Sequence, residues 1–176
     1  MLAESVARLW SDKTEIPSIN LGDLPLEADQ VRASVTSSIQ KEELTGPATA
    51  DFAAPGSHAW TVDDQRWDKE RVATRACRTV FLHSIAGEPA PGAASPDIYA
   101  GTLRPGEDPD LIDQALNDTS QVAWHLVYDG ATWRFQVAPN ANRIIATETG
   151  NITNAQVTEE LDRRIRLIFP TDGVVT

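Results

Sequence analysis

The sequence predicts a mainly helical chain that contains one β-hairpin. Apolar residues recur every three or four positions over several segments, which is typical of amphipathic helices. Late in the chain, two alternating β-rich runs flank Asp129-Gly130, a dipeptide typical of tight hairpin turns. The length of 176 residues and the hydrophobic content of 41% suffice for a buried core. We therefore expect a mainly α fold with α+β character at the hairpin.

The first third of the chain predicts a helical arm. A short apolar pattern at the start and a longer one from about Glu27 to Glu43 each have helical spacing. Residues Ala48 to Trp60 are mostly small and contain Pro55-Gly56, which favours a loop or linker. Residues 1–60 are thus predicted to form a helical arm followed by a linker.

Three helices are predicted before the hairpin. A long helix begins at Thr61 or Asp63 and runs to about Ile85. Ser95-Pro96-Asp97 is a typical start for a second, shorter helix. Asp108-Pro109-Asp110 is a typical start for the third, in which the aspartate caps the helix and proline occupies the first turn.

The order of these elements predicts a winged-helix-like module. Its hairpin strands are placed at 122–128 and 132–137, and three helices precede them. We assign residues 61–150 to this module, with the arm before it. Residues 151–176 are assigned to a C-terminal helix and the start of another element, which suggests that the chain is part of a longer protein. The stripe of this last helix consists of Val157, Leu161, Ile165 and Ile168.

Composition narrows the classes of function. Fifteen basic against twenty-six acidic side chains give a net charge of −11, which disfavours contact with phosphate backbones and anionic membranes. Cys77 is the single cysteine, so the sequence holds no internal disulfide and no cysteine-rich zinc site. No apolar run reaches the length of a membrane span. We expect a soluble, cytoplasmic protein without a membrane partner.

Several spaced motifs resemble a known family. They are Arg75-Ala76, the run Thr79-Val80-Phe81-Leu82-His83-Ser84 with Gly87, Leu103-Arg104-Pro105-Gly106 with Asp108-Pro109, Trp124-His125-Leu126, Trp133-Arg134-Phe135, and Pro139-Asn140-Ala141-Asn142-Arg143-Ile144-Ile145. This pattern is similar to the region that follows the nucleotide-binding core in a family of large predicted ATPases of the AAA+ superfamily. Members are often encoded beside adenine-specific DNA methylases in bacterial and archaeal gene clusters associated with phage defence.

The resemblance implies a parent protein that binds ATP and Mg²⁺. The chain itself contains no G-x-x-x-x-G-K-[ST] motif, so it lacks the backbone cradle and lysine that hold the phosphates in such proteins. We therefore expect no catalytic residues and no cofactor in this chain. Its expected partner is its own ATPase core, with other domains or a methylase as further candidates.

Basic side chains supply the candidate functional residues. Arg71, Arg75 and Arg78 form the densest cluster, and their spacings of four and three residues place them on one face of the predicted long helix. By analogy with lid-side arginines of AAA+ proteins, Arg71 or Arg75 is a candidate nucleotide sensor, and Arg78 belongs to a possible nucleic-acid or partner surface. Ordinary ion pairs with nearby acidic residues are the alternative for all three. The C-terminal helix offers a second such surface, which consists of Arg163, Arg164 and Arg166.

Two other kinds of site are disfavoured. The histidines His58, His83 and His125 lack the paired spacing of metal ligands, so no metal site is predicted. In a DNA-binding winged helix, the helix before the hairpin enters the major groove and should be basic. Residues 107–119 hold five acidic side chains and no basic one. A DNA-binding winged helix with a non-standard basic face is therefore the alternative to an accessory, protein-binding module.

Overall fold

The predicted mainly helical fold with a hairpin is confirmed. A computed structural model describes residues 2–11, 18–67, 69–86, 92–140, 145 and 154–168. These residues form α-helices, short helical turns and a two-stranded antiparallel sheet. The chain divides into two compact units, Met1–Asn140 and Ala141–Thr176. Among the described helices, none combines the length and apolar character that crossing a membrane requires.

The first unit contains the hairpin and most of the helices. Its α-helices are α1 (Leu2–Ser11), α2 (Asp29–Ser38), α3 (Thr45–Ala48), α4 (His58–Arg66), α5 (Val72–Ile85), α6 (Ser95–Thr102) and α7 (Pro109–Val122). Short 3-10 helices lie at Leu21–Asp23 and Glu42–Leu44, and a π-helix, Thr49–Ala53, continues α3. The strands are β1 (Leu126–Tyr128) and β2 (Trp133–Phe135). The second unit contains α8 (Asn154–Ile168).

The hairpin forms around the predicted turn but is shorter than predicted. Leu126 pairs with Phe135 and Tyr128 with Trp133. Gly130 has a φ of 97°, a conformation that glycine adopts without strain. Asp129 accepts hydrogen bonds from the backbone of Ala131 and Thr132 and from the Thr132 hydroxyl, and the backbone bonds lower its pKa. The predicted first strand began at 122, which is wrong because α7 continues through Val122.

The predicted uninterrupted helix from Thr61 or Asp63 to Ile85 is wrong. It is divided into α4 and α5, and Arg71 between them has a left-handed φ of 50°. The buried Asp63 carboxylate accepts the N–H groups of Ala73 (2.8 Å) and Thr74 (2.9 Å) and the Thr74 hydroxyl (2.6 Å). These N–H groups have no partner within α5, so a side chain of α4 caps the next helix.

Two predictions for the arm are also wrong. The predicted loop at 48–60 is largely helical, through α3, the π-helix and α4. Phe52 in this segment is fully buried, and its ring centroid lies 5.2 Å from Phe81 and 5.3 Å from Phe135. The predicted helix at 27–43 ends at Ser38, and Gln40 beyond it has a φ of 55°. The composition of this region is typical of a loop, but the packing of its apolar side chains keeps it helical.

The core includes residues from both sides of position 60, where the sequence predicts the end of the arm. Leu26, Val35 and Phe52 belong to the same buried cluster as Val80 and Ile112. The start of the winged-helix-like module at 61 therefore lies within a continuous core. The predicted boundary between 150 and 151 lies outside the described residues.

Candidate functional site

Arg75 is held in the interior of the first unit. Its side chain is 3% exposed and forms a two-pronged pair with Glu107, at 2.6 Å and 3.2 Å. The guanidinium also donates to the carbonyls of Glu70 (2.9 Å) and Thr102 (2.9 Å). Burial alone would raise the pKa of Glu107, but hydrogen bonds from Arg75 and the Arg104 backbone lower it below its usual value. Arg75 thus connects α5 with the segment between α6 and α7.

Two further arginines anchor the segment that precedes α2. Arg78, 11% exposed, donates to Glu27 at 2.6 Å and to the Gly22 carbonyl at 3.4 Å. Burial lowers the pKa of Arg78. Arg104 donates to the buried Asp23 at 2.6 Å. The Arg78 side chain therefore lies in internal contacts of the first unit, whereas the sequence assigns it to a possible nucleic-acid or partner surface.

Arg71 is the most exposed member of the predicted basic cluster. It precedes α5 and is not on the helix face that the sequence predicts for it. Its guanidinium donates to Asp64 at 2.6 Å and stacks 4.3 Å from the Trp60 ring centroid, and its side chain is 30% exposed. Cation–π stacking of this kind orients a guanidinium at modest energetic gain.

The structure therefore separates the two candidate nucleotide sensors. Arg75 would have to leave Glu107 and two backbone carbonyls before it reached a phosphate, which costs several kilocalories for a buried pair. Arg71 is more exposed, and its described contacts include the Asp64 carboxylate and the Trp60 ring. Nucleotide sensing stays a prediction for both residues.

The acidic residues of α7 and the segment before it are mostly used within the fold. Asp108 caps α7 by accepting the Asp110 N–H at 3.0 Å, and Glu107 holds Arg75. The hydroxyl of Tyr99 on α6 donates to Asp113 at 2.7 Å. Asp118 pairs with Arg66 of α4. The acidic character that disfavours DNA reading thus also joins α7 to its neighbours.

Asp51 is a buried residue with several hydrogen-bond partners, and the sequence did not predict this role. Its side chain is fully buried in the π-helix. One oxygen accepts the Trp124 N–H (3.0 Å) and contacts His58 Nδ1 (2.8 Å). The other accepts the N–H groups of His125 (2.7 Å) and Leu126 (3.2 Å). The carboxylate therefore accepts the backbone N–H groups of the segment that connects α7 with β1. No local sequence pattern links residues so distant in the chain.

An apolar cleft is the second feature that the sequence did not reveal. It has a volume of about 360 Å³ and lies beside the C-terminal end of α5. Its lining consists of Leu21, Leu24, Val35, Ser38, Ile39, Leu82, His83, Ile85 and Ala86. A second depression of about 440 Å³ shares Leu21, Leu24 and His83. The cleft depends on how α2, α5 and the segment at 21–24 come together, which no local sequence pattern predicts.

The arginines of α8 are the exposed members of the predicted set. Arg163 and Arg164 are 64% and 69% exposed, and both donate to Glu160. The side chain of Arg166 lies outside the described part of the structure. Among the predicted arginines whose side chains the structure describes, the most exposed therefore lie on α8, whereas Arg75 and Arg78 are internal.

The histidines are not brought together. His58 contacts Asp51 and its ring lies 4.9 Å from Trp124, while His125 Nδ1 lies 3.1 Å from the Gln136 carbonyl. His83 lines the cleft. Within the described ranges, no group of three or more His, Cys, Asp or Glu side chains has an arrangement that could hold a metal ion.

Comparisons with known proteins give no match to this chain. No family model matches it, and no match was found among curated proteins or among solved structures. Any functional conclusion therefore depends on the residues and geometry described above.

Proposed function

We propose that the chain is an accessory, non-catalytic, winged-helix-like region of an AAA+-like ATPase, and that it acts through protein contacts. In this proposal it couples the nucleotide state of the ATPase core to other domains or partners in the cytoplasm. ATP and Mg²⁺ belong to the core of that parent protein. The sequence motifs carry the link to the family, since the comparisons add nothing to it.

The arrangement of the first unit supports the winged-helix part of the proposal. The helices α5, α6 and α7 precede the β1–β2 hairpin in the expected order. An isolated antiparallel bridge joins Ala93, between α5 and α6, to Trp133 of β2. Both backbone bonds of that bridge are present, at 2.8 Å and 2.9 Å. The bridge holds the segment between α5 and α6 beside the hairpin, which ties these helices and the hairpin into one module.

The observation that carries the protein-binding part is the internal use of charge. The basic residues Arg75 and Arg78 are buried in ion pairs, and the helix before the hairpin carries acidic residues and no basic one. These two arginines therefore add nothing to the surface that a phosphate backbone could contact, and the helix before the hairpin would repel one. The apolar cleft beside α5 is better suited to a protein partner, because removal of apolar surface from water drives protein association.

DNA binding through a non-standard face is the alternative, and Arg163 and Arg164 favour it because both are exposed. Their shared partner Glu160 reduces the positive field that a phosphate would meet. A protein that uses so few arginines would bind DNA weakly, and the binding would be lost as salt increases.

Three binding measurements test the proposal. The purified chain should bind neither Mg-ATP in calorimetry nor duplex DNA in fluorescence anisotropy at low salt. It should bind the P-loop ATPase core encoded with it, and Ile39→Asp in the cleft should weaken that contact while Asp162→Asn on α8 leaves it unchanged. Tight ATP binding, or salt-dependent DNA binding that Arg163→Ala and Arg164→Ala remove, would contradict the proposal.

A further inference from the structure

The helix α8 presents an apolar stripe to solvent. Val157, Leu161 and Ile165 follow one another at intervals of four residues, and they are 45%, 54% and 53% exposed. Residues at this spacing lie on one face of a helix. Scattered exposed apolar residues need no explanation, but a stripe along three turns is the pattern by which helices pair.

A helix of this length needs a partner to be stable. It has 15 residues, which is at the limit of about 12–15 residues below which an isolated helix has only marginal stability in water. Glu160 stabilises it locally, because it accepts hydrogen bonds from Arg163 and Arg164 at 2.7–2.8 Å. Such exposed pairs contribute little to stability, because water competes for both partners. Burial of the apolar stripe is the larger available source of stability.

The charges on α8 are segregated along its length. Glu159, Glu160 and Asp162 lie in its first two-thirds, whereas Arg163, Arg164 and Arg166 follow. Hydrogen bonds from Arg163 and then Arg164 lower the pKa of Glu160 to about 2, so it is ionised at neutral pH. The helix thus has an acidic segment followed by a basic segment.

This polarity distinguishes the two ways in which a helix can pair with its own copy. In a parallel pair the acidic segments meet and the basic segments meet, which is unfavourable. In an antiparallel pair each acidic segment faces the basic segment of the other helix, so the two sets of charges attract. The same reversal also brings the apolar stripes together, because Leu161 and Ile165 lie near the middle of the helix.

We propose that α8 is a self-association surface, at which the helix pairs in antiparallel orientation with α8 of a second copy of this chain. The apolar stripe forms the seam, and Glu160 of one copy lies near Arg164 of the other. This inference goes beyond the proposed function and does not depend on it. Two helices of this length bury less than about 1,200 Å², so the dimer is weak, with a dissociation constant of roughly 10–100 μM.

Sedimentation equilibrium of the full chain over about 1–500 μM tests self-association. The wild type should shift from monomer to dimer, and Leu161→Ser should remain a monomer across this range. Because Leu161 is half exposed, circular dichroism should show that the fold of the first unit is retained. Trp10→Ser is the matched control, since Trp10 is also an exposed apolar residue on a helix, and it should dimerise like the wild type.

Charge exchange and a distance measurement test the orientation. Glu160→Arg should weaken an antiparallel dimer about five- to tenfold, and the added Arg164→Glu should restore it. In a parallel dimer, position 160 meets position 160 of the other copy, so Glu160→Arg would only replace one like-charge pair with another. A spin label at Asn154→Cys should lie more than about 20 Å from its copy in an antiparallel pair, against about 10 Å in a parallel pair. The native Cys77 is fully buried and is protected from the label.

Several results would overturn the proposal. A monomer at all concentrations would remove it, and so would a dimer that Trp10→Ser abolishes and Leu161→Ser leaves intact. A short distance between labels at position 154 would reject the antiparallel arrangement.

Discussion

The arginines of α5 and α8 show two opposite uses of the same side chain. Arg75 and Arg78 on α5 are 3% and 11% exposed and connect segments that are distant in the sequence. Arg163 and Arg164 on α8 are mostly exposed and bond to Glu160 within their own helix. A buried pair is costly to break because one charge then remains without a partner, whereas an exposed pair is replaced by water. Substitution of the buried charged residues of the first unit should therefore lower the free energy of unfolding, whereas substitution of the exposed charged residues of α8 should change it little.

The largest expected effect is that of Asp51→Ala. The change removes the acceptor for three backbone N–H groups at the start of β1 and the partner of His58. Buried donors without partners are expensive, so we expect a loss of about 3–5 kcal/mol in the free energy of unfolding. Denaturant unfolding at pH 7 measures it. Asp162→Ala on the exposed helix α8 is the control, with an expected change within about 0.5 kcal/mol. Equal losses for the two variants would remove the distinction between the regions.

Arg75→Met should have the next largest effect. It leaves Glu107 and the Thr102 carbonyl without their buried donor. We expect a loss of about 2–4 kcal/mol in denaturant unfolding. The double variant Arg75→Met with Glu107→Leu should recover part of this loss, because no unpaired charge then remains. Additive losses would show that the two side chains do not act as a pair.

Gly101→Ala gives a reference for the charge substitutions, because it introduces a packing defect that involves no charge. A Cβ at this position would lie 2.6 Å from Cγ2 of Thr79, so α6 would have to move away from α5. Such overpacking costs about 1–3 kcal/mol. Adding Thr79→Ser should restore most of the stability in thermal unfolding, because serine lacks the clashing methyl and keeps the hydroxyl that bonds to Thr102 and Gly101. No recovery would indicate that another contact limits α6.

The Glu107 pair should also give a pH dependence. The pKa of Glu107 is lowered in the folded chain, so its stabilisation is complete above the pKa of the unfolded chain and is lost as pH falls through the folded value. Glu107→Gln should lower the free energy of unfolding at pH 7, and its difference from the wild type should become smaller near pH 3, where the wild-type carboxylate is increasingly protonated. The raised pKa of Asp63 acts in the opposite direction, but it cancels in this difference. A difference that does not change with pH would contradict the assignment.

Local patterns in the sequence predicted the elements better than their contacts. The Asp129-Gly130 turn, the Asp108 cap and the apolar stripe of α8 are short-range features, and all three are present. The break between α4 and α5 was missed, because it depends on Asp63 reaching across to cap the next helix. The role of Asp51 was missed for the same reason, since the backbone N–H groups that it accepts lie more than seventy residues away in the sequence.

The candidate site was less predictable than the fold. Their spacing predicted that Arg71, Arg75 and Arg78 lie on one helix face. The spacing does not distinguish a cluster that is exposed to solvent from one that is buried. Only the positions of Glu107 and Glu27 decide that Arg75 and Arg78 are buried. The apolar cleft likewise depends on how α2, α5 and the segment at 21–24 come together, and it has no short-range signature.

The smallest expected effect is that of Arg164→Ala, and it is the direct counterpart of Arg75→Met. Arg164 is 69% exposed and bonds only to Glu160 among the contacts that the structure describes, so water can take over its role. We expect a change within about 0.5 kcal/mol in the unfolding of the first unit. The measurement belongs at about 1 μM protein, where a weak dimer is dissociated and self-association adds nothing to stability. A loss as large as that of Arg75→Met would mean that exposure does not separate the two groups of arginines, and the contrast between α5 and α8 would fail.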